Sequence, residues 1–415
     1  MREMKDSEIE WIGAIPAAWG VHRIASHFQE VKEKNTANEY SNALQFKMGR
    51  IIAKPQKWDE EEINEIYAAY TVVHPNTIMI NGLNLEFDFV TQRVAQVECD
   101  GIITSAYIAL SPRDDINAKY ICYLLKSYDA CRAFHSMGRG LRKILSFSEL
   151  KNKPIIVPPL AEQERIAAFL DAECAEVDAV LEKTRASIDE YKKLKQAVIT
   201  QAVTKGIRGD RPMKDSGIEW IGEIPKEWIV RKGKWFLKLL DRPVVETDGV
   251  ITCFRDGEVT LRSNRREEGF TFSLQEVGYQ GIEKGDLVVH GMDGFAGAIG
   301  ISDSRGKGTP VLNVLDSLEC KKYVMYYLRS MAYNGVFISL STGIRVRSCD
   351  TNWNKLRNLL YPLPSLQEQV EIASYLDAKC AEIDNLISKK EQYINEIENY
   401  KKSLIYEYVT GKKEV

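Results

Sequence analysis

The chain has 415 residues, 44% of them hydrophobic and 28% charged, a globular composition long enough for two or three domains. No apolar run approaches the ~18 residues of a membrane span, and the N-terminal MREMKDSEIEW lacks the apolar stretch of a signal peptide. A cytoplasmic protein with no membrane partner is expected. Eight scattered cysteines without a C-x-x-C pair, and five histidines without ligand spacing, predict reduced buried thiols and no metal site. The net charge of −3 argues against a nucleic-acid partner only on average. Residues 20–157 carry 17 Lys+Arg against 16 Asp+Glu, and residues 229–363 carry 19 against 15. Segments 158–206 and 364–415 are acidic, at 7 against 9 and 7 against 10. Local patches rather than totals make a binding footprint.

In chain order, the first feature is a segment that returns. Residues 4–19 read MKDSEIEWIGAIPAAW, and residues 213–228 read MKDSGIEWIGEIPKEW. PPLAEQERIAAFLDAECAEVDAVLEK begins at Pro158, and PSLQEQVEIASYLDAKCAEIDNLISK begins at Pro364. The second match runs ungapped to Val203-Thr204 and Val409-Thr410, with roughly two-fifths of positions identical. The chain is therefore duplicated, and such repeats set the architecture before any local reading. The expected domains are 1–157, 158–212, 213–363 and 364–415. Between the matched segments, residues 20–157 and 229–363 differ in most positions, yet they keep a common frame. GIITSAYIAL from Gly101 aligns with GKGTPVLNVL from Gly306, and KYICYLLK from Lys119 with KYVMYYLR from Lys322. Short apolar strands at 77–80, 286–290 and 298–301 lie among glycine-rich turns, and a helix is predicted around 116–134 and 319–332. This is one α/β scaffold presenting two different surfaces, as suits a two-part asymmetric ligand.

The segments after the proline stops are long helices. Leu170, Val177, Thr184, Tyr191 and Val198 fall seven apart, joined on one face by Ile166, Cys174, Leu181, Ile188 and Leu194. The second copy offers Leu376, Ile383, Ile397 and Leu404, with Cys380, Ile387 and Ile394 beside them. A stripe this narrow at heptad spacing forms no core alone, so the two helices are expected to pack on each other. The fold class expected is thus two pseudo-twofold-related α/β recognition domains separated by two long antiparallel helices in a coiled coil. A helix of about 35 to 45 residues is ~50–65 Å long. It could hold two readers about one turn of duplex or more apart.

No catalytic constellation is present in the sequence. The only Pro-Pro, Pro158-Pro159, opens a helix, so the Asn/Asp-Pro-Pro-aromatic loop of DNA amino-methyltransferases is missing. The stretch from Gly300 to Gly308 lacks the spacing and the Ser/Thr of a phosphate loop. The basic clusters carry more information. Arg139, Arg142 and Lys143 interleave with Gly138 and Gly140, and Arg345 and Arg347 follow Gly343 at the corresponding place of the second copy. Glycine beside arginine lets the backbone approach phosphate while the guanidinium reaches a base edge. Lys47 and Arg50 flank Gly49, and Arg255, Arg262, Arg265 and Arg266 occur only in the second copy. These eleven cations are the candidate DNA contacts. Trp11, Trp19, Trp220 and Trp228, within the repeated segment, read as packing anchors.

These motifs together resemble the HsdS specificity subunits of Type I restriction-modification systems. The resemblance rests on E-x-W-I-G-x-I-P-x-x-W (Glu10 to Trp19; Glu219 to Trp228), on P-x-L-x-E-Q (Pro158 to Gln163; Pro364 to Gln369), and on Leu170-Asp171 and Leu376-Asp377. It covers nearly the whole chain, twice in order. It implies a non-catalytic subunit that binds a bipartite asymmetric double-stranded DNA target, with the helix pair setting the gap. It also implies two HsdM adenine-N6 methyltransferase subunits and HsdR restriction subunits as partners. S-adenosylmethionine, ATP and Mg are then expected on those partners and no cofactor on this chain. No base-contacting residue follows from the resemblance, because recognition domains vary widely in that family. Two other classes stay open: a fused or stand-alone DNA methyltransferase, and a coiled-coil scaffold that binds only protein.

Overall fold

The computed structural model describes residues 2–55, 65–86, 92–140, 143–265, 277–340 and 351–415. The chain divides into two units, Met1–Thr184 with Gln392–Val415, and Arg185–Glu391. Each unit holds one α/β domain and one half of each long helix. In the first unit the strands are β1 (Met4–Asp6), β2 (Ala14–Pro16), β3 (Gly20–Arg23), β4 (Phe28–Glu30), β5 (Leu44–Lys47) and β6 (Arg50–Ala53). They continue with β7 (Thr71–Val73), β8 (Ile78–Ile80), β9 (Val94–Gln96), β10 (Gly101–Ile103), β11 (Ile108–Pro112) and β12 (Pro154–Val157). Its centre is an antiparallel sheet in the order β4-β11-β8-β9, with β7–β10, β5–β6, β3–β12 and β1–β2 as accessory pairs.

The second unit repeats this arrangement strand for strand. It runs β13 (Met213–Asp215), β14 (Glu223–Pro225), β15 (Ile229–Lys232), β16 (Leu237–Leu239), β17 (Ile251–Cys253) and β18 (Val259–Leu261). Then come β19 (Gln280–Ile282), β20 (Leu287–His290), β21 (Ile299–Ile301), β22 (Gly306–Gly308), β23 (Leu312–Ser317) and β24 (Leu360–Leu363). The central sheet is β16-β23-β20-β21, with pairs β19–β22, β17–β18, β15–β24 and β13–β14. Two segments that differ in most side chains thus share one topology.

Both central sheets are buried on both faces, which is why their strands read as apolar runs instead of alternating. Ile78, Ile80, Val94 and Leu110 point into one core with the helix Ala118–Ala130, while Met79 and Ala109 point into a second core with Leu44, Val73 and Ile103. In the other unit Leu287, Val289, Ile299 and Leu315 share a core with the helix Lys321–Tyr333. Val288, Ala298 and Val314 face Ile251 and Cys253. The helix expected over 116–134 ends at Ala130 and restarts as Ala133–Met137. Arg132, at φ +59°, makes the break, and Gly335 at φ +68° makes the same break after Tyr333.

The long helices are Leu160–Lys205 and Leu366–Val409, of 46 and 44 residues. They run antiparallel within each unit. Phe169 stacks on Tyr408 at 4.4 Å and Asp178 accepts from Lys401 at 2.6 Å in the first. In the second, Lys195 meets Asp384 at 2.6 Å and Lys390 lies over the Tyr191 ring. The helix ends do more than pair. Ile166, Leu170, Cys174 and Leu404 belong to the first domain's core, and Leu376 and Cys380 to the second's. Between them Leu181, Ile188 and Ile383 are buried and Val177, Tyr191, Val198, Ile387, Ile394 and Ile397 half-buried. Leu194, grouped with this stripe in the sequence, is 48% exposed, because it lies six residues rather than seven beyond Ile188. A 3.6-residue turn drifts away from a seven-residue repeat, and by the last turns the buried face has rotated to Ile199, Ala202 and Val203.

The repeated motifs are the joints of each unit. Gln163, fully buried, accepts from the Asn117 N–H at 2.9 Å and donates to the Asp115 and Pro158 carbonyls. Gln369 accepts from the Cys320 N–H at 3.0 Å and donates to Glu319 and the Pro364 carbonyl. The neighbouring glutamates hold the tryptophans: Trp19 Nε1 donates to Glu162 at 3.0 Å, and Trp228 Nε1 to Glu368 at 3.3 Å. Arg2 and Arg211 pair with the same two carboxylates. Asp171 takes Lys119 and the Tyr123 hydroxyl, as Asp377 takes Lys322 and the Tyr326 hydroxyl. Tyr120 donates to the Val409 carbonyl at 3.0 Å and Tyr323 to the Val203 carbonyl at 3.2 Å. Each helix end thus spends an otherwise unmatched carbonyl on a buried phenol. Burial holds both hydroxyls far above the usual tyrosine range, so they remain donors.

Candidate nucleic-acid interface

At one end of the first domain three loops meet: the β5–β6 turn, the connection from β8 to β9, and a hairpin closed by the Arg139–Ile144 bridge. Met48 and Gly49, the two central residues of the turn, have φ of +49° and +71°, the signature of a type I′ hairpin that matches strand twist. Lys47 and Arg50 close the turn opposite each other, both exposed, with Met48 60% exposed between them. Gly49 lies against Gln92, where an added Cβ would fall 2.4 Å from the side-chain oxygen. Next to Gln92, the buried Arg93 spends its guanidinium on the carbonyls of Asn81, Leu83 and Asn84, and so sets the path of that loop. The hairpin is docked on the same loop through Leu145 N–H to Gly82 O at 2.9 Å and Leu85 N–H to Lys143 O at 3.2 Å. Arg139 and Ile144 exchange backbone bonds of 3.0 Å, with Arg139 and Lys143 exposed. Lys47, Arg50, Arg139 and Lys143 therefore share one end of the first domain. Arg50 also approaches Asp178 on the long helix at 3.8 Å. Arg142 lies outside the described residues.

The equivalent loops of the second domain are built differently. The β17–β18 turn is closed by Phe254 N–H to Glu258 O at 2.8 Å. Arg255 projects from it, 67% exposed, and its Nη2 donates to Asp293 Oδ1 at 2.8 Å. Asp293 lies on the β20–β21 loop, where His290 Nδ1 accepts the N–H groups of Met292 and Asp293 at 3.2 and 3.0 Å. Burial, against the pull of Asp293, keeps His290 below the ordinary histidine value and so in the neutral form that can accept. Thr351, fully buried, donates to the His290 carbonyl at 2.8 Å. Glycine is required at two contacts. A Cβ on Gly297 (φ +96°) would sit 2.7 Å from the Arg255 carbonyl, and one on Gly294 2.3 Å from Thr351 Oγ1.

Arg265 stacks over the Phe254 ring at 4.2 Å and pairs with Asp256 and Glu258. Arg262, which follows the end of β18 remote from the turn, donates Nε to Thr252 Oγ1 at 3.3 Å. The structure brings Arg255 and Arg265 to the loop end and leaves Arg262 in the short 3-10 turn that follows β18. Arg266, Arg345 and Arg347 lie outside the described residues.

The two loop ends differ in chemistry. The first presents lysines and arginines with an exposed methionine, suited to phosphate and groove contact. The second presents arginines beside Asp256, Glu258 and Asp293, a mixture of donors and acceptors that can match base edges. Composition-based reading missed Met48, Met292, Asp293 and Thr351. The signal available was the aligned frame of the two copies, which puts GMDGFAG at the loop equivalent to residues 81–93. Among the described residues no group of three or more His, Cys, Asp or Glu side chains could hold a metal ion. No described helix is long and apolar enough to cross a membrane. Burial pushes the Cys253 thiol up to about 12 and raises Cys122 and Cys380, which leaves these thiols protonated.

Comparison with known proteins agrees with this architecture. Residues 99–189 match the Type I restriction modification DNA specificity domain. The putative type I restriction enzyme MjaX specificity subunit of Methanocaldococcus jannaschii is 24% identical over 425 aligned positions, covering 97% of this chain and 95% of the relative. The MjaVIII specificity subunit of the same organism is also 24% identical, covering 96% and 93%. A chain solved in a study of complex assembly and conformational transition of the type I R-M system superposes with a TM-score of 0.68 at 14% identity, over 96% of this chain and 99% of that one. In its duplicated fold, and in sequence over nearly its full length, the chain is similar to the HsdS specificity subunits of Type I restriction-modification systems.

Proposed function

We propose that the chain reads a two-part, asymmetric sequence in double-stranded DNA, one half through the loop end of each domain. The observation that carries this reading is the pairing of one topology, strand for strand, with two chemically different loop ends. A palindrome would call for two equal readers; unequal readers call for unequal half-sites. The chain performs no catalysis in this account. It docks two HsdM methyltransferase subunits and, for restriction, HsdR subunits, in the cytoplasm. S-adenosylmethionine, ATP and Mg reside on those partners. The polar outer faces of the long helices are the surfaces left for the methyltransferases, since the inner faces are used in packing.

A gel-shift series tests this directly, using the full chain with its methyltransferase partner on duplexes of random and selected sequence. The expected result is sequence-selective retention that survives competition by bulk DNA. Absence of selectivity would favour a scaffold that binds only protein. Methyl transfer by the chain alone would favour a methyltransferase in its own right.

A further inference from the structure

We propose that Arg255 is a base-reading side chain that recognises a guanine in one half-site, and that Asp293 is its positioning residue. The proposal rests on the DNA-reading function above and assigns a chemistry to one of its contacts. Four observations converge on it. The Arg255 side chain is two-thirds exposed, yet its guanidinium is tethered at one nitrogen, Nη2, by a single carboxylate oxygen 2.8 Å away. A planar fork held from one side keeps the remaining N–H groups aligned for two acceptors in a plane, and guanine offers that pair in its O6 and N7.

The backbone that carries the carboxylate is fixed. The Asp293 N–H is held by His290 Nδ1, and its carbonyl accepts from the N–H groups of Ala296 at 2.9 Å and Ala298 at 3.2 Å. The turn that carries Arg255 is seated on the same loop by the Gly297 contact, where no other residue fits, and Arg329 donates to the Asp256 carbonyl at 2.6 Å. A surface ion pair between two mobile side chains contributes little to stability. Here both partners stand on braced backbone, which orders the arginine before any ligand arrives and lowers the entropic cost of binding. The matching turn of the first domain carries Lys47 and Arg50 against Gln92.

Selection of bound duplexes from a random pool, by the full chain with its methyltransferase partner, tests the assignment. The wild type is expected to yield a two-part motif. Arg255→Ala should turn one near-invariant guanine, in one half only, into a position close to random. Affinity for the wild-type target should fall roughly 10- to 100-fold, the range for a lost bidentate base contact. Arg255→Lys, which keeps the charge and loses the fork, should lose the same guanine with a smaller drop in non-specific binding. Asp293→Asn should weaken preference at that position without shifting it. A wild-type motif that Arg255→Ala or Arg255→Lys reproduces with every guanine intact overturns the assignment and leaves the two-part reading standing. A wild type that selects no motif overturns the two-part reading and the assignment with it.

Discussion

Gln163 and Gln369 show how much a single buried amide can organise. Each joins a long-helix start to the N-terminus of its domain's helix, at Asn117 and Cys320, through two hydrogen bonds, with a third to the proline carbonyl before its own helix. Replacing either by leucine preserves volume and strands one backbone donor and two acceptors. A loss of about 2–4 kcal/mol is expected, because unsatisfied buried polar groups cost more than a hydrogen bond contributes. Urea denaturation monitored by hydrogen exchange should place the loss of Gln163→Leu in the first unit and that of Gln369→Leu in the second. Equal loss in both units for either variant would refute this assignment. At the loop end, Lys143→Ala should leave stability within about 0.5 kcal/mol, as for exposed surface changes. It should also lower the slope of log affinity against log salt by about one, the mark of a lost phosphate contact. An unchanged slope would remove Lys143 from the interface.

His290 links the second loop end to pH. Its folded-state value lies below the ordinary 6.5, chiefly through burial; Arg255 lowers it further and Asp293 opposes the shift. The unfolded chain therefore binds the extra proton first, so the stability this residue contributes is present above about pH 6.5 and falls as the pH drops below it. The imidazolium can no longer accept from Met292 and Asp293, and amide exchange across 291–298 should quicken in mildly acidic buffer. His290→Gln should flatten that response; an equally steep response in the variant would place its cause elsewhere.

At the scale of elements, the repeat made most of the fold legible. The apolar runs at 78–80 and 287–290 read as strands because both sheet faces are buried, and the proline stops marked where each long helix starts. Heptad counting identified the helix stripe, but Leu194 falls one position short of the seven-residue step from Ile188 and is exposed. Nor could it show that Ile166 and Leu170 leave the helix seam for a domain core, a consequence of tertiary packing. The loop ends were legible only as charge. Arg255 and Arg262 look alike in sequence, and long-range contacts separate them: one meets Asp293, thirty-eight positions away, and the other lies along its own hairpin. The helix pair also carries a prediction. Matched insertions of one turn in both helices, about 5.4 Å, should change the tolerated gap between half-sites by one or two base pairs. A gap that stays fixed would contradict the role of the pair as a ruler.

For the whole molecule, the account turns on inequality between two copies of one scaffold. The joints are duplicated almost residue for residue, from Trp19 with Glu162 to Trp228 with Glu368, while the loop ends have diverged. Exchanging residues 20–157 for the corresponding domain of a relative should therefore alter one half-site and leave the other half unchanged. Single-molecule sequencing of methylated adenines, in cells carrying the wild-type chain or this exchange, is the most direct test. The account predicts one asymmetric two-part motif for the wild type, of which the exchange rewrites a single half. A palindromic motif, or an exchange that rewrites both halves, would contradict it.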